Sequence, residues 1–105
     1  MKKAIRMDAR DNIATALQAI SAADKVTVVT DAQEIVRRMV MPAGIAFGHK
    51  FALGDIKKGA HIFKYGEIIG IAIKDIREGE HVHIHNIDSL RLPLPEAVRE
   101  RGTPK

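Results

Sequence analysis

The sequence predicts a mostly β domain with one or two short helices. Seven of the eight glycines lie between residues 44 and 79, and frequent glycine between short apolar runs is typical of tight turns. Those runs are rich in Ile and Val, as strands are. An eight-residue segment also recurs after 20 residues, because residues 55–62 and 75–82 are identical at four positions. Each copy leads through a glycine into a strand, which predicts a repeated chain-reversing turn.

Composition narrows the class of protein. The chain has 105 residues, which is enough for one domain, and its 46% apolar residues and modest net charge of +4 are typical of a globular protein. The absence of cysteine excludes disulfide scaffolds, thiolate zinc sites and cysteine nucleophiles. No run approaches the roughly 20 apolar residues of a membrane helix, and the few aromatic residues leave little on which bases could stack. We therefore expect a cytoplasmic protein that binds neither membranes nor nucleic acid.

In the N-terminal part, residues 4–7 alternate like a short strand. Residues 13–23 are predicted to form a helix, since Ile13, Ala16, Leu17 and Ile20 recur at helical spacing. The β-branched run at residues 25–30 predicts a strand. Residues 31–41 fit either a helical turn or two, or a loop and a short strand, and their apolar spacing favours the helical turns.

Three strands are predicted further on, at residues 60–64, 67–73 and 81–85. Tyr65 and Gly66 form a natural two-residue hairpin loop between the first two. Gly70, in the middle of a strand, indicates a bulge or a close approach of another backbone. Residues 1–90 are expected to form the domain and residues 91–105 an irregular tail, with one helical turn over residues 95–101.

Three histidines at alternate positions are the most informative candidates for chemistry. On a strand, His81, His83 and His85 would share one face, while Val82 and Ile84 would point into the core. Imidazoles placed in this way can hold a divalent metal ion, so we predict His83 and His85 as metal ligands. The alternative is a solvated polar face.

Two further segments could bind a ligand. The glycine turn before His49 and Lys50 could present a hydrogen-bonding group and a cation to a carboxylate, although an exposed basic turn fits the same residues. Tyr65, at the predicted hairpin tip, could bind a polyol or simply pack. No residue pattern identifies a catalytic acid or base.

Four motifs, in order and at consistent separation, resemble the N-terminal region of the altronate and galactarate dehydratase family, a SAF domain of the β-clip fold. The small subunit of sulfolactate sulfo-lyase is similar to it as well. The likeness extends to D-N-I-A at residues 11–14, which is similar to an early D-N-V-A segment of the family. The closing H-V-H-x-H-N pattern is similar to altronate dehydratase and the sulfo-lyase. The motifs are G-H-K-F-A-L at residues 48–53, D-I-K-K-G at 55–59, K-Y-G-E-I-I-G at 64–70, and D-I with G-E-H-V-H-I-H-N at 75–86.

The resemblance implies that the chain is the SAF-domain small subunit of a hydro-lyase and is inactive alone. It further implies a separate large catalytic subunit and a small hydroxy-acid substrate. It implies that water is eliminated from a hydroxylated carboxylate at a metal-dependent site. Iron is the expected metal, and its ligands could be shared with the large subunit. His83 and His85 would then contact the metal, His49 and Lys50 the carboxylate, and Tyr65 the polyol. Two alternatives stay open: a sulfolactate sulfo-lyase subunit, and a non-catalytic module that binds sugar acids or metal.

Overall fold

A computed structural model describes residues 1–89, and the secondary structure of this part of the chain consists of β-strands and turns. The prediction of a mostly β domain is confirmed. The predicted tail at residues 91–105 and its helical turn lie outside the described residues. The strands are β1 (Lys2–Ile5), β2 (Ile13–Ala16), β3 (Lys25–Val29), β4 (Ile35–Val40), β5 (Lys50–Ala52), β6 (His61–Lys64), β7 (Glu67–Ala72), β8 (His81–Val82) and β9 (Ile87–Ser89).

The strands form two sheets. One has six strands in the order β4-β3-β1-β2-β5-β8, and the other has three in the order β6-β7-β9. Strands β1 and β3 are parallel, whereas the other pairs are antiparallel. Two apolar clusters fill the core, one around Phe51 and Val28 and one around Ile62 and Ile76. In the described residues no helix is long and apolar enough to cross a membrane.

The predicted helix at residues 13–23 is wrong. Residues 13–16 form β2, which pairs with β1 on one side and with β5 on the other. Ile13, Ala14 and Ala16 are buried there, since the small alanines allow close packing in the sheet. Ile20 is buried for another reason, because it bridges to Ile45 outside the strands. The apparent helical spacing therefore combines two unrelated elements, and tertiary pairing overrides the helix propensity of alanine.

The predicted helical turns at residues 31–41 are also wrong, and the alternative of a loop and a strand is correct. Residues 35–40 form β4, which pairs with β3 in an antiparallel hairpin. The loop is closed by Thr30, whose hydroxyl oxygen accepts hydrogen bonds from the amides of Ala32 and Glu34 at 3.2 Å. Strand β4 is at the edge of its sheet, where a half-exposed apolar pattern resembles the stripe of an amphipathic helix.

The repeated turn is a structural unit, and residues 1–89 contain it four times, at unequal spacing, rather than twice. In each copy a buried isoleucine is followed, three positions later, by a residue with positive φ, and a strand begins two positions after that. The isoleucines bridge in pairs, the first with the second and the third with the fourth. The sequence shows only the last two copies clearly, because the first two lack the aspartate before the isoleucine and the first also has alanine in place of glycine. The four pairs are Ile20 with Ala23, Ile45 with Gly48, Ile56 with Gly59, and Ile76 with Gly79.

The third and fourth copies also cap each other. The carboxylate of Asp75 accepts a hydrogen bond from the amide of Lys58, and that of Asp55 accepts one from the amide of Glu78, both at 2.9 Å. The acidic residue that opens each repeat thus caps the turn of the other.

The predicted hairpin and the role of Gly70 are both confirmed. Tyr65 and Gly66 connect β6 to β7 with φ angles of 57° and 75°, as a two-residue turn of type I′ requires. The β6–β7 register shifts beside Gly70. A Cβ at Gly70 would lie 2.8 Å from the carbonyl oxygen of Asp88 in β9, so only glycine lets the two strands approach this closely.

Candidate functional site: a histidine cluster beside Lys50

Four of the five histidines meet at one edge of the six-stranded sheet. The ring of His49 lies 5.1 Å from that of His81 and 5.7 Å from that of His83, measured between centroids. The ring of His81 lies 5.4 Å from that of His83 and 5.5 Å from that of His85. The predicted candidates from two distant motifs are therefore brought together, whereas His61 lies outside the cluster on β6.

The register of β5 and β8 explains this meeting. Lys50 pairs with Val82, and Phe51 pairs with His81. In an antiparallel pair a step backward along β5 matches a step forward along β8. His49, just before β5, therefore comes opposite His83, just after β8.

The three closing histidines do not share one strand face, contrary to the prediction. Strand β8 ends at Val82, and a turn follows. Val82 is buried as expected, but the side chain of Ile84 is 76% exposed instead of facing the core. His83 and His85 therefore approach His81 from a turn and not from an extended strand.

Asn86 imposes this turn. Its side chain is fully buried; its Oδ1 accepts a hydrogen bond from the amide of His83 at 3.0 Å, and its Nδ2 donates one to the carbonyl of His81 at 2.7 Å. The amide of Asn86 also donates to the carbonyl of His83 at 3.0 Å. A buried side-chain amide whose oxygen and nitrogen both have hydrogen-bond partners is costly to disturb. Asn86 therefore fixes the backbone that carries the histidines.

His49 and His81 are in direct contact, because Nδ1 of His49 lies 3.0 Å from Nε2 of His81. One of these nitrogens must carry the hydrogen and the other must accept it. Burial lowers the pKa of His81, and the neighbouring histidines and Lys50 lower it further. The cluster therefore favours a neutral imidazole at His81, able to accept a proton or bind a ligand.

Lys50 lies beside the histidines. Burial lowers the pKa of the Lys50 ammonium group, and the positive charge of Lys64 lowers it further, with Tyr65 acting in the opposite direction. A shallow depression of about 90 Å³ is lined by Gly48, His49, Lys50 and His83. An ammonium group that is partly removed from water gains more from an anionic ligand than an exposed one does.

Tyr65 occupies the hairpin tip, and its side chain is 59% exposed. The ammonium nitrogen of Lys64 lies 5.1 Å from the centre of its ring. The effect of both residues on the pKa of Lys50 indicates that the hairpin tip is within electrostatic reach of that lysine. Tyr65 is available to a ligand, but it does not line the depression.

Two residues that sequence reasoning left without a role hold this hairpin. The carboxylate of Asp11, 6% exposed, accepts hydrogen bonds from the amides of Tyr65 at 2.9 Å and Gly66 at 2.8 Å. The Asn12 side chain accepts from the amide of Phe63 at 2.9 Å and donates to the carbonyl of His61 at 3.0 Å. The signal was present, since D-N opens the early motif of the family resemblance, but sequence alone does not show what it contacts.

The histidine cluster does not form a complete metal site by itself. Among residues 1–89, no group of three or more His, Asp or Glu side chains is arranged to hold a metal ion. Imidazole nitrogens suit iron or zinc, and two histidines could supply part of a coordination sphere. The described residues therefore do not hold a self-contained metal centre.

Comparison with known proteins gives a consistent family. The altronate/galactarate dehydratase SAF domain matches residues 2–90. Over 82 residues the chain is 46% identical to altronate dehydratase of Escherichia coli, and over 89 residues it is 36% identical to that of Bacillus subtilis. These matches cover 78% and 82% of this chain but only 15% and 16% of those enzymes.

A second group of relatives is much shorter. The chain is 43% identical, over 54 residues, to the (2R)-sulfolactate sulfo-lyase subunit alpha of Paracoccus pantotrophus. That match covers 51% of this chain and 81% of the subunit. The corresponding subunit of Chromohalobacter salexigens is 43% identical over 47 residues, which is 45% of this chain and half of the subunit.

Proposed function

The chain belongs to the altronate/galactarate dehydratase SAF domain family. From this membership and the geometry of the histidine cluster, we propose that it is the small subunit of a lyase that removes water from a hydroxylated carboxylic acid. In this proposal the chain contributes a substrate-binding surface to an active site whose catalytic acid and base lie on a large polypeptide. Its curated relatives are lyases, and the chain is similar to a small part of the altronate dehydratases.

The observation that carries the proposal is the position of Lys50 and His49 within the histidine cluster. Lys50 offers a cation, and His49 offers a ring nitrogen, at one depression. A carboxylate held by an ammonium group and a hydrogen-bond donor is neutralised in part, which makes the neighbouring C–H more acidic. A base can then remove that proton, and the β-hydroxyl leaves as water. Tyr65 would contact the hydroxyl groups of the acid.

A divalent metal ion, iron first among the candidates, would polarise the acid as a Lewis acid. His83 and His85 would supply two of its ligands. The other ligands would come from the large polypeptide, since the described residues hold no third ligand in place.

The size of the depression supports the need for a partner. Pockets that enclose small molecules usually have volumes of roughly 300–1,000 Å³, whereas this depression has about 90 Å³. A sugar acid seated here would remain largely exposed to water, and a second polypeptide would have to cover it. The chain also spans less than a fifth of the altronate dehydratases it matches.

A second candidate is the alpha subunit of a (2R)-sulfolactate sulfo-lyase, with sulfite instead of water as the leaving group. It is favoured by the match that covers 81% of the Paracoccus subunit. The same Lys50 and His49 would bind the carboxylate, because both substrates carry that group.

The test is purification of the chain from its native host, followed by identification of the co-eluting polypeptides and metal analysis. The large polypeptide is then assayed with altronate and with (2R)-sulfolactate, with and without this chain. We expect a large lyase-like partner and turnover of one acid that depends on the chain. Turnover that is unchanged when the chain is added would contradict the proposal. A chain that elutes alone and binds sugar acid or metal would instead be a non-catalytic binding module.

A further inference from the structure

The anchor of the Tyr65 hairpin lies in a different part of the chain. Asp11 precedes β2, more than 50 residues from Tyr65, and its buried carboxylate accepts three backbone hydrogen bonds. Two come from the amides of Tyr65 and Gly66, and the third comes from the amide of Asp8 at 3.1 Å. Both oxygens of Asp11 thus act as acceptors, Oδ2 for the amides of Asp8 and Tyr65 and Oδ1 for the amide of Gly66.

The hairpin tip needs such an anchor. Tyr65 has a φ of 57°, a left-handed conformation that is unfavourable for a residue other than glycine. Its side chain is largely exposed, so packing of the ring contributes little to holding it. Asn12 holds strand β6, whereas the two hydrogen bonds to Asp11 hold the tip itself.

We propose that Asp11 is a positioning residue of the ligand site, whose carboxylate holds the tip of the hairpin that carries Tyr65 and Lys64. This inference rests on the proposed function, in which Lys50 and Tyr65 contact the acid. Asp11 itself touches no ligand. By holding the two amides of the turn, it fixes where Tyr65 can meet the hydroxyl groups of the acid.

The test uses the 105-residue chain, Asp11→Asn, and a matched control, Asp24→Asn. Asp24 also accepts a backbone hydrogen bond, from the amide of Ser21 at 2.7 Å, and is bound by Lys2 at 3.0 Å, but it lies in a different turn. In Asp11→Asn an NH2 group must face a backbone N–H. Amide hydrogen exchange at Tyr65 and Gly66 should then accelerate by about 10- to 100-fold, with the rest of the sheet unchanged. Asp24→Asn should leave both amides as they are.

A second readout separates positioning from general destabilisation. When the hairpin moves away, Lys50 loses the neighbouring charge of Lys64 and gains water, so its pKa, followed by NMR, should rise towards its ordinary value. Unchanged exchange at Tyr65 and Gly66, or faster exchange throughout the sheet with Lys50 unaltered, would overturn the inference. If Asp11→Asn does not fold, Asp11→Glu keeps the charge and both acceptors on a longer side chain, and the same two readouts apply to it.

Failure of the proposed function would look different. Altronate, and then (2R)-sulfolactate, is titrated into the wild-type chain together with its large partner. If neither acid alters the Lys50 and Tyr65 resonances, the ligand site is wrong, whereas the exchange and pKa readouts still decide whether Asp11 holds the hairpin.

Discussion

Nδ1 of His49 lies 3.0 Å from Nε2 of His81, and this contact joins two motifs that are more than 30 residues apart in the chain. The contact depends on the pairing of β5 with β8. It makes the two imidazoles share one hydrogen, and burial and neighbouring positive groups lower the pKa of His81.

A first prediction concerns the titration of His81. An NMR titration should give a pKa for His81 below its ordinary value of 6.5. His49→Gln removes a neighbouring positive charge and should raise that pKa. A pKa of His81 that is unchanged in His49→Gln would contradict the contact.

The same shift determines how stability varies with pH. Because the folded-state pKa of His81 is lowered, the unfolded chain binds more protons between the folded and unfolded pKa values. The contribution of His81 to the free energy of unfolding is therefore fully present above about pH 6.5, and it is lost as the pH falls through the pKa of the folded state. Urea denaturation between pH 7 and pH 5 should show this loss, and His81→Gln should reduce it.

Asn86 should control the histidine geometry. Asn86→Ala leaves the amide of His83 and the carbonyl of His81 without partners, which should lower the free energy of unfolding by about 2–3 kcal/mol. Asn12→Ala is a matched control, because Asn12 bonds both an amide and a carbonyl of β6 in the same way. Both variants should be destabilised, but only Asn86→Ala should shift the ring resonances of His81 and His83. Unmoved rings in Asn86→Ala would count against its role.

Gly70 should tolerate no side chain. In Gly70→Ala the Cβ would lie 2.8 Å from the backbone oxygen of Asp88, so β9 would have to move, at a cost of about 1–3 kcal/mol. Gly54→Ala is the control, since nothing lies within 4 Å of a Cβ there and its φ is not positive. Equal chemical denaturation midpoints for the two variants would argue against close packing of β7 and β9.

The fourfold turn predicts a stabilising substitution. Ala23 has a φ of 73°, where the equivalent residues are glycines. Ala23→Gly should relieve this strain and raise the free energy of unfolding by about 0.5–1 kcal/mol. Gly59→Ala, at a φ of 89° with open space around it, should lower it by a similar amount. Changes with the opposite signs in thermal unfolding would show that the turns are not equivalent.

Local structure was predicted correctly from the sequence where a residue pattern is compatible with few backbone conformations. Tyr65 with Gly66 predicted the hairpin, and Gly70 predicted the close approach, because few alternatives fit those local patterns. The prediction failed over residues 13–23, where burial of Ala16 and Ile20 arises from strand pairings that local spacing cannot show.

The geometry of the histidine cluster could be predicted only in part. The residue types of His83 and His85 indicated a ligand site, but the strand predicted for them ends at Val82. The turn that follows depends on the buried amide of Asn86. The meeting of His49 with His81 depends on strand register, which the sequence does not encode locally.

The most direct measurement of the central claim is kcat/KM for the acid. It is measured with this chain and the large partner that the proposed function requires, and Lys50→Ala and Lys57→Ala are compared with the wild type. Lys57 is an exposed lysine in the third turn, beside a separate depression lined by Asp55 and Asp75. If Lys50 binds the substrate carboxylate, Lys50→Ala should lower kcat/KM by about 10- to 100-fold, and Lys57→Ala should leave it unchanged. Equal activity of Lys50→Ala and the wild type would contradict the account.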